Sequence, residues 1–220
     1  MDVIKMSVLE DYFKDWNGYT GTVLTQDMIA NAEKELNYKL PESYIRVLSI
    51  KNGGKPRLNY CPTTQPTSWG KDNIQIEIIY GISGKHGIDS ELGSKYIINE
   101  WGYPDIGIII GLTPSGGPEA IMLDYSECGP QSEPKVIYVE LETDDEKPNI
   151  ITLAPDFMSF LEMCYKPHNE VIETIDIPEI TTKSWITKVS KVLKQYFQES
   201  VKDGLKILRY REELQFPPEH

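Results

Sequence analysis

An α+β fold is predicted for this chain of 220 residues by three observations. Helical periodicity occupies the N-terminal quarter, short apolar runs punctuated by Gly and Pro follow, and a capped helical pattern closes the series. The other elements are arranged around Trp101 to Gly129, WGYPDIGIIIGLTPSGGPEAIMLDYSECG. In that stretch Ile106, Ile108, Ile109, Ile110 and Leu112 form one apolar run, and Ser115-Gly116-Gly117-Pro118 supplies a turn. Ala120 to Tyr125 form a second run, so the stretch predicts a strand, turn and strand at the centre of a sheet.

Taken in order, Ile4, Val8, Leu9, Tyr12, Phe13 and Trp16 recur at three- and four-residue spacing and predict a helix ended by Asn17-Gly18. Thr25 is suited to cap a second helix, with Asp27 in its first turn and Met28, Ile29, Ala32 and Leu36 as its buried stripe. Pro41 fits the first position of a third, which carries Tyr44, Val47 and Leu48 and stops at Asn52-Gly53-Gly54. From Lys55 to Asp72, Pro56, Pro62 and Pro66 predict a long loop without ladder hydrogen bonds. Ile74, Ile76, Ile78 and Tyr80 alternate with polar residues as one half-buried strand.

A turn through Gly81, Gly84 and Gly87 then leads to a short helix carrying Leu92, Tyr96 and Ile97, with Asp89 or Ser90 as its cap. Beyond the central stretch, Lys135 to Leu141 predicts a strand paired with the one before it, Glu140 to Glu146 an acidic turn, and Ile150 to Leu153 a last strand. Asp156 caps a closing helix with Phe157, Phe160, Leu161 and Cys164 inward. These elements make one domain over residues 1–166. Residues 167–220 read as a linker followed by an amphipathic helix from Ser184 to about Val201. Trp185, Ile186, Val189, Val192, Leu193, Tyr196 and Phe197 share one side of it, opposite Lys188, Lys191, Lys194 and Lys202.

Lysine and arginine number 22 against 34 acidic residues, a net charge of −12. Nucleic acid and anionic membranes require a cationic face, so both are excluded as expected partners, and a basic protein is the complementary one. Residues 167–220 hold eight basic and nine acidic side chains, so the negative charge belongs to residues 1–166. Cys61, Cys128 and Cys164 form no C-x-x-C pair, which predicts neither a disulfide framework nor a zinc site and fits a reducing cytoplasm. The N-terminus lacks the uncharged core of an export signal, and no apolar run approaches a membrane span.

Templates for catalysis each lack a required residue. A phosphate loop needs Gly-Lys-Ser/Thr, but Gly84-Lys85 is followed by His86 and Gly116-Gly117 by Pro118. Gly81, Gly84 and Gly87 miss the dinucleotide spacing, and Gly81-Ile82-Ser83-Gly84 closes one residue too soon for a nucleophile elbow. The acidic run at Glu140 has no mid-loop glycine for calcium. Glu119 and Asp124 stand an odd number of positions apart on one strand and so face opposite sides, which denies them a shared cleft. No catalytic residue, cofactor site or metal site is therefore predicted. What remains is a contact surface, assigned to Trp69, Trp101, Tyr103, Glu119, Asp124, Tyr125 and Glu127, where aromatic groups beside carboxylates suit a basic protein partner. For any one of these aromatics a place in the core is an equal alternative.

At these residues the chain resembles the SMI1/KNR4 family, the SUKH superfamily. One match runs from Ile29-x-x-Ala32-Glu33 through Leu40-Pro41-x-x-Tyr44 to Asn52-Gly53-Gly54. The other runs from Gly107-Ile-Ile-Ile-Gly111 through Gly116-Gly117, Leu123-Asp124-Tyr125, Gly129 and Pro134-x-Val136 to Leu153-Ala-Pro-Asp-Phe157-x-x-Phe160. Pro118-Glu119 after the glycine pair is a mild departure, and residues 167–220 lie outside the match. The resemblance implies a mixed or antiparallel sheet flanked by helices and a role in binding rather than catalysis. Bacterial members are similar to immunity proteins that neutralise polymorphic toxins, often nucleases, while the fungal namesake regulates cell-wall glucan synthesis. The expectation is a cytoplasmic immunity protein covering a basic toxin domain, with a regulatory or scaffolding protein as the alternative.

Overall fold

The computed structural model describes residues 12–14, 18–143 and 147–167. The linker and amphipathic helix expected over 167–220 therefore lie outside the described residues, except Pro167. So does most of the first expected helix. Its described part, Tyr12 to Lys14, is extended rather than helical: Phe13 bridges Pro56, and the Lys14 amide donates to the Lys55 carbonyl at 2.8 Å. Pairing with a neighbouring segment here meets the backbone demands that a helix would have met internally.

Helix α1 spans Gln26–Leu36, and Thr25 caps it by accepting from the Met28 amide at 3.3 Å. Asn37, in the left-handed conformation that Asn tolerates better than most residues, ends it. Helix α2, Glu42–Ile50, buries Tyr44, Val47 and Leu48, with Pro41 at the cap position, one residue earlier than expected. Glu33 braces the connection by accepting from the Leu40 amide and pairing with Lys39.

The 55–72 segment departs from expectation, because it contains strand β1, Tyr60–Pro62, paired antiparallel with β2, Asn73–Gln75. Successive residues of a strand turn their N–H groups to opposite sides. The missing N–H of Pro62 would point to the same side as that of Tyr60, away from β2, so the proline leaves the β1–β2 ladder intact. The single strand expected over Ile74 to Tyr80 is also divided. β3, Ile78–Ile79, leaves β2 and pairs with β4 of the larger sheet. Ile74, Ile76 and Ile78 are all buried as their alternation requires, but alternation selects a face and not a pairing partner.

Helix α3 covers Ser94–Trp101 with Gly93 at its cap, later than expected. Asp89 is engaged elsewhere, accepting from the Ser83 amide at 2.6 Å to close the glycine-rich turn, and Leu92 stands outside the helix and exposed. A Cβ at Gly93 would lie 2.5 Å from two backbone carbonyl oxygens, which accounts for glycine at the cap.

The main sheet is antiparallel throughout, in the order β3-β4-β5-β6-β7, with β4 at Gly107–Leu112, β5 at Glu119–Asp124, β6 at Lys135–Glu140 and β7 at Asn149–Ala154. The central hairpin read from the sequence is β4–β5, and β5 is the middle strand. Nearly every residue of β4, β5 and β6 is buried, so both faces of the sheet centre are covered. Such strands read as continuous apolar runs. Helix α4, Phe157–Met163, is capped by Asp156, which accepts from the Ser159 amide at 2.8 Å. Phe157 meets Tyr44 edge-on at 5.0 Å, and the buried Tyr44 hydroxyl donates to the Tyr80 carbonyl at 2.6 Å, tying α2, α4 and the segment after β3 into one core.

Candidate functional site

The seven residues expected to make one contact surface fall into two clusters, at opposite ends of β5. Five residues at a strand rise of about 3.4 Å separate the ends by about 17 Å.

At the turn end, Trp69, Trp101, Tyr103 and Glu119 come together. The β4–β5 turn places Gly116 at φ +82° and lays Gly117 against the ring of Trp101, where a Cβ would lie 2.2 Å from Cη2. Any larger residue at 117 would displace that ring. Tyr103, itself buried, donates its hydroxyl to the Gly117 carbonyl at 2.6 Å and holds the turn from the other side. Trp101 stays 50% exposed on top.

Beneath them Glu119 is only 5% exposed. Its carboxylate accepts from Ser68 Oγ and Trp69 Nε1, each at 2.5 Å, and from Thr113 Oγ1 at 2.6 Å. Thr113 Oγ1 lies 2.6 Å from Ser115 Oγ, and Ser68 Oγ 3.5 Å from the Tyr138 hydroxyl. Burial pushes the Glu119 carboxyl up, but the hydrogen bonds from Ser68, Thr113, Trp69 and Ser115 outweigh it and hold the group below its ordinary range. The charge is thus kept by neutral donors, as a carboxylate with several hydrogen bonds allows. Burial beside this charge drives the Tyr103 hydroxyl far above its usual range. The bonds fasten the 55–72 segment to the central hairpin. Ser68, Thr113 and Ser115 are the participants that the sequence did not single out, and the signal for them was slight: hydroxyls flanking a glycine turn.

At the other end are Asp124, Tyr125 and Glu127. Asp124 is buried, faces Lys135 across the ladder, and pairs with its ammonium at 3.4 Å while accepting from the Ser126 amide at 2.8 Å. Glu127, exposed, shares the same Lys135 at 2.5 Å, and its hydrogen bond is the largest influence raising that lysine's pKa. Tyr125 is buried, stacks on Tyr38 with centroids 4.4 Å apart, and donates to the Lys39 carbonyl at 2.6 Å. Single-surface exposure of all seven is therefore corrected. Tyr103, Glu119, Asp124 and Tyr125 are interior, because each polar group found an internal partner, whereas Trp101, Glu127 and part of Trp69 reach solvent.

Elsewhere, a hollow of about 460 Å³ is lined by Glu35, Leu36, Ile88, Asp89, Ser90, Glu91, Lys95 and Tyr96, with Lys95 bonded to Glu35. Its lining carries three acidic groups, Glu35, Asp89 and Glu91, against the one ammonium of Lys95. Among the described residues, no group of three or more His, Cys, Asp or Glu stands together as a metal site, and no helix is long and apolar enough to cross a membrane.

Helices packed with a five-stranded antiparallel sheet, its central hairpin closed by an aromatic-capped glycine turn, make an α+β domain. The family profile described as SMI1-KNR4 cell-wall matches residues 26–161, more than half of the chain, and the chain belongs to that family. No curated protein and no solved structure gives a significant match.

Proposed function

We propose that this chain is a non-catalytic protein-binding module, an immunity protein that acts in the cytoplasm by covering a cognate basic toxin domain, for example a nuclease. The observation that carries this reading is Trp101, a large aromatic held half-exposed on Gly117 above a fully bonded buried network. A rigid aromatic loses little conformational freedom on binding, and such residues are favoured anchors of protein interfaces. The excess negative charge of residues 1–166 supports a basic partner, which complementary fields draw in quickly. Trp69 and Glu127 flank the two ends of the central hairpin as further contact groups, while Tyr103, Glu119, Asp124 and Tyr125 hold those ends in shape. Co-expression with the toxin encoded beside it is the test: protection of the host and a stable complex are expected, and the absence of both sinks the reading.

The cell-wall description of the matching family favours a second reading, a regulatory or scaffolding protein of cell-wall synthesis. Deleting the gene separates the two, since altered glucan synthesis without toxin sensitivity supports the second and the reverse supports the first.

A further inference from the structure

Cys61 in the middle of β1 and Cys164 directly after α4 are far apart in sequence, are both free, and are adjacent in the fold. Tyr60 and Tyr165 exchange both backbone hydrogen bonds, Tyr60 N to Tyr165 O at 3.0 Å and Tyr165 N to Tyr60 O at 2.8 Å, and so form a hydrogen-bonded antiparallel pair. The next residue on each segment is Cys61 and Cys164, which places the cysteines at the neighbouring position without cross-strand hydrogen bonds. There the Cα atoms stand about 4.5 Å apart and the side chains leave the same face. Burial alternates accordingly: Cys61 is 0% and Cys164 5% exposed, whereas Tyr165 is 37% exposed and its ring meets that of Tyr60 at 5.9 Å on the other side. The Cys61 thiol donates to the Pro62 carbonyl at 3.7 Å and the Cys164 thiol to the Phe160 carbonyl at 3.2 Å, and the two lie beside each other with the buried Tyr12 near both.

A separation of about 4.5 Å lies at the short end of the roughly 4.4–6.8 Å window for disulfides, where strain makes the bond easier to reduce. We propose that Cys61 and Cys164 are a modification site, forming a reversible cross-strand disulfide on exposure to a low-molecular-weight disulfide such as oxidised glutathione. One cysteine thiolate attacks the glutathione disulfide, releases one glutathione thiolate and leaves a mixed disulfide; the second thiolate then displaces the other glutathione. Two protein thiols are oxidised, one glutathione disulfide is reduced to two thiols, and the two protons lost by the cysteines go to the departing glutathiones. The neighbouring Cys61 thiol and burial push the Cys164 thiol up, so the exchange quickens as pH rises. The bond staples the end of α4 to β1, the strand that leads into Ser68 and Trp69.

The test uses the full chain carrying Cys128→Ser, which removes the exposed thiol, incubated with oxidised glutathione at about pH 8.5, where cysteine is partly ionised. Non-reducing peptide mapping is expected to show a linked pair containing Cys61 and Cys164, with two hydrogens lost and no glutathione retained. Closing a loop on the order of 100 residues raises Tm by on the order of 10 °C, and dithiothreitol reverses the rise. Cys61→Ala and Cys164→Ala, each in the same background and each shown to be folded by circular dichroism, give neither the link nor the rise. A glutathione adduct that persists with both cysteines present, two unreacted thiols at equilibrium in an oxidising glutathione mixture, or a link that forms only in urea overturns the proposal.

Discussion

Glu119→Gln tests whether the buried carboxylate fastens the 55–72 segment to the central hairpin. Glutamine keeps the size of the side chain and one carbonyl acceptor. With its oxygen toward Trp69 Nε1 and Thr113 Oγ1, the amide nitrogen faces Ser68, whose hydroxyl can turn to accept. Ser68 takes one of the two amide N–H groups, so the cost is the loss of charge assistance in three hydrogen bonds together with a weakly partnered second N–H. Bonds to charged groups contribute about 1.5–3 kcal/mol against about 1 for neutral ones. Part of that difference is offset because a neutral amide is cheaper to bury, leaving a net destabilisation of about 1–3 kcal/mol.

Urea and thermal unfolding read the effect, and Tm is expected to fall by roughly 3–10 °C for a domain of this size. The pH dependence follows from the same bonds. The folded-state pKa of Glu119 lies below its ordinary value, so its ionisation adds stability above the unfolded value of about 4.3 and loses it as pH falls through the folded pKa. Wild type and variant therefore converge in acid, with the wild type descending toward the variant. A gap below about 0.5 kcal/mol at neutral pH, or one that stays constant down to about pH 3, refutes this account.

Trp69→Phe removes the indole donor together with the five-membered ring that carries it and should cost about 2–3 kcal/mol; combined with Glu119→Gln it should be non-additive by at least about 0.5 kcal/mol in a double-mutant cycle, measured by urea unfolding. Trp101→Ala should cost about 1–3 kcal/mol of stability, because half the residue is buried on Gly117, yet weaken partner binding by about 30-fold or more in calorimetry, as an interface anchor does. Tyr125→Phe deletes the hydrogen bond to the Lys39 carbonyl and leaves that acceptor without this buried donor, at a cost of about 1–2 kcal/mol by thermal unfolding.

Local patterns carried much of the fold. Thr25, Asp156 and the stripe Ile29, Ala32 and Leu36 act within a turn or two of themselves, and so they predicted α1 and α4 correctly. The cap of α3 falls later than local sequence predicts because Asp89, equally able to cap, is taken by the Ser83 amide across the glycine turn. The candidate site was half legible. Trp69, Trp101, Tyr103 and Glu119 do assemble, but burial removes Tyr103, Glu119, Asp124 and Tyr125 from solvent, and no pattern of residue types announces which aromatic will find an internal acceptor.

The sequence by itself determined the α+β class, the central β4–β5 hairpin and the family signature, because periodicity, capping and turn chemistry are set by residues close along the chain. Tertiary structure alone decided the division of residues 74–80 between two sheets, the bonding of Ser68 and Trp69 to Glu119, and the bridging of Tyr60 with Tyr165 that sets Cys61 beside Cys164. Those contacts join residues far apart in sequence. Strand pairing and hydrogen-bond partners at that range depend on how the whole core closes, which no local spacing records.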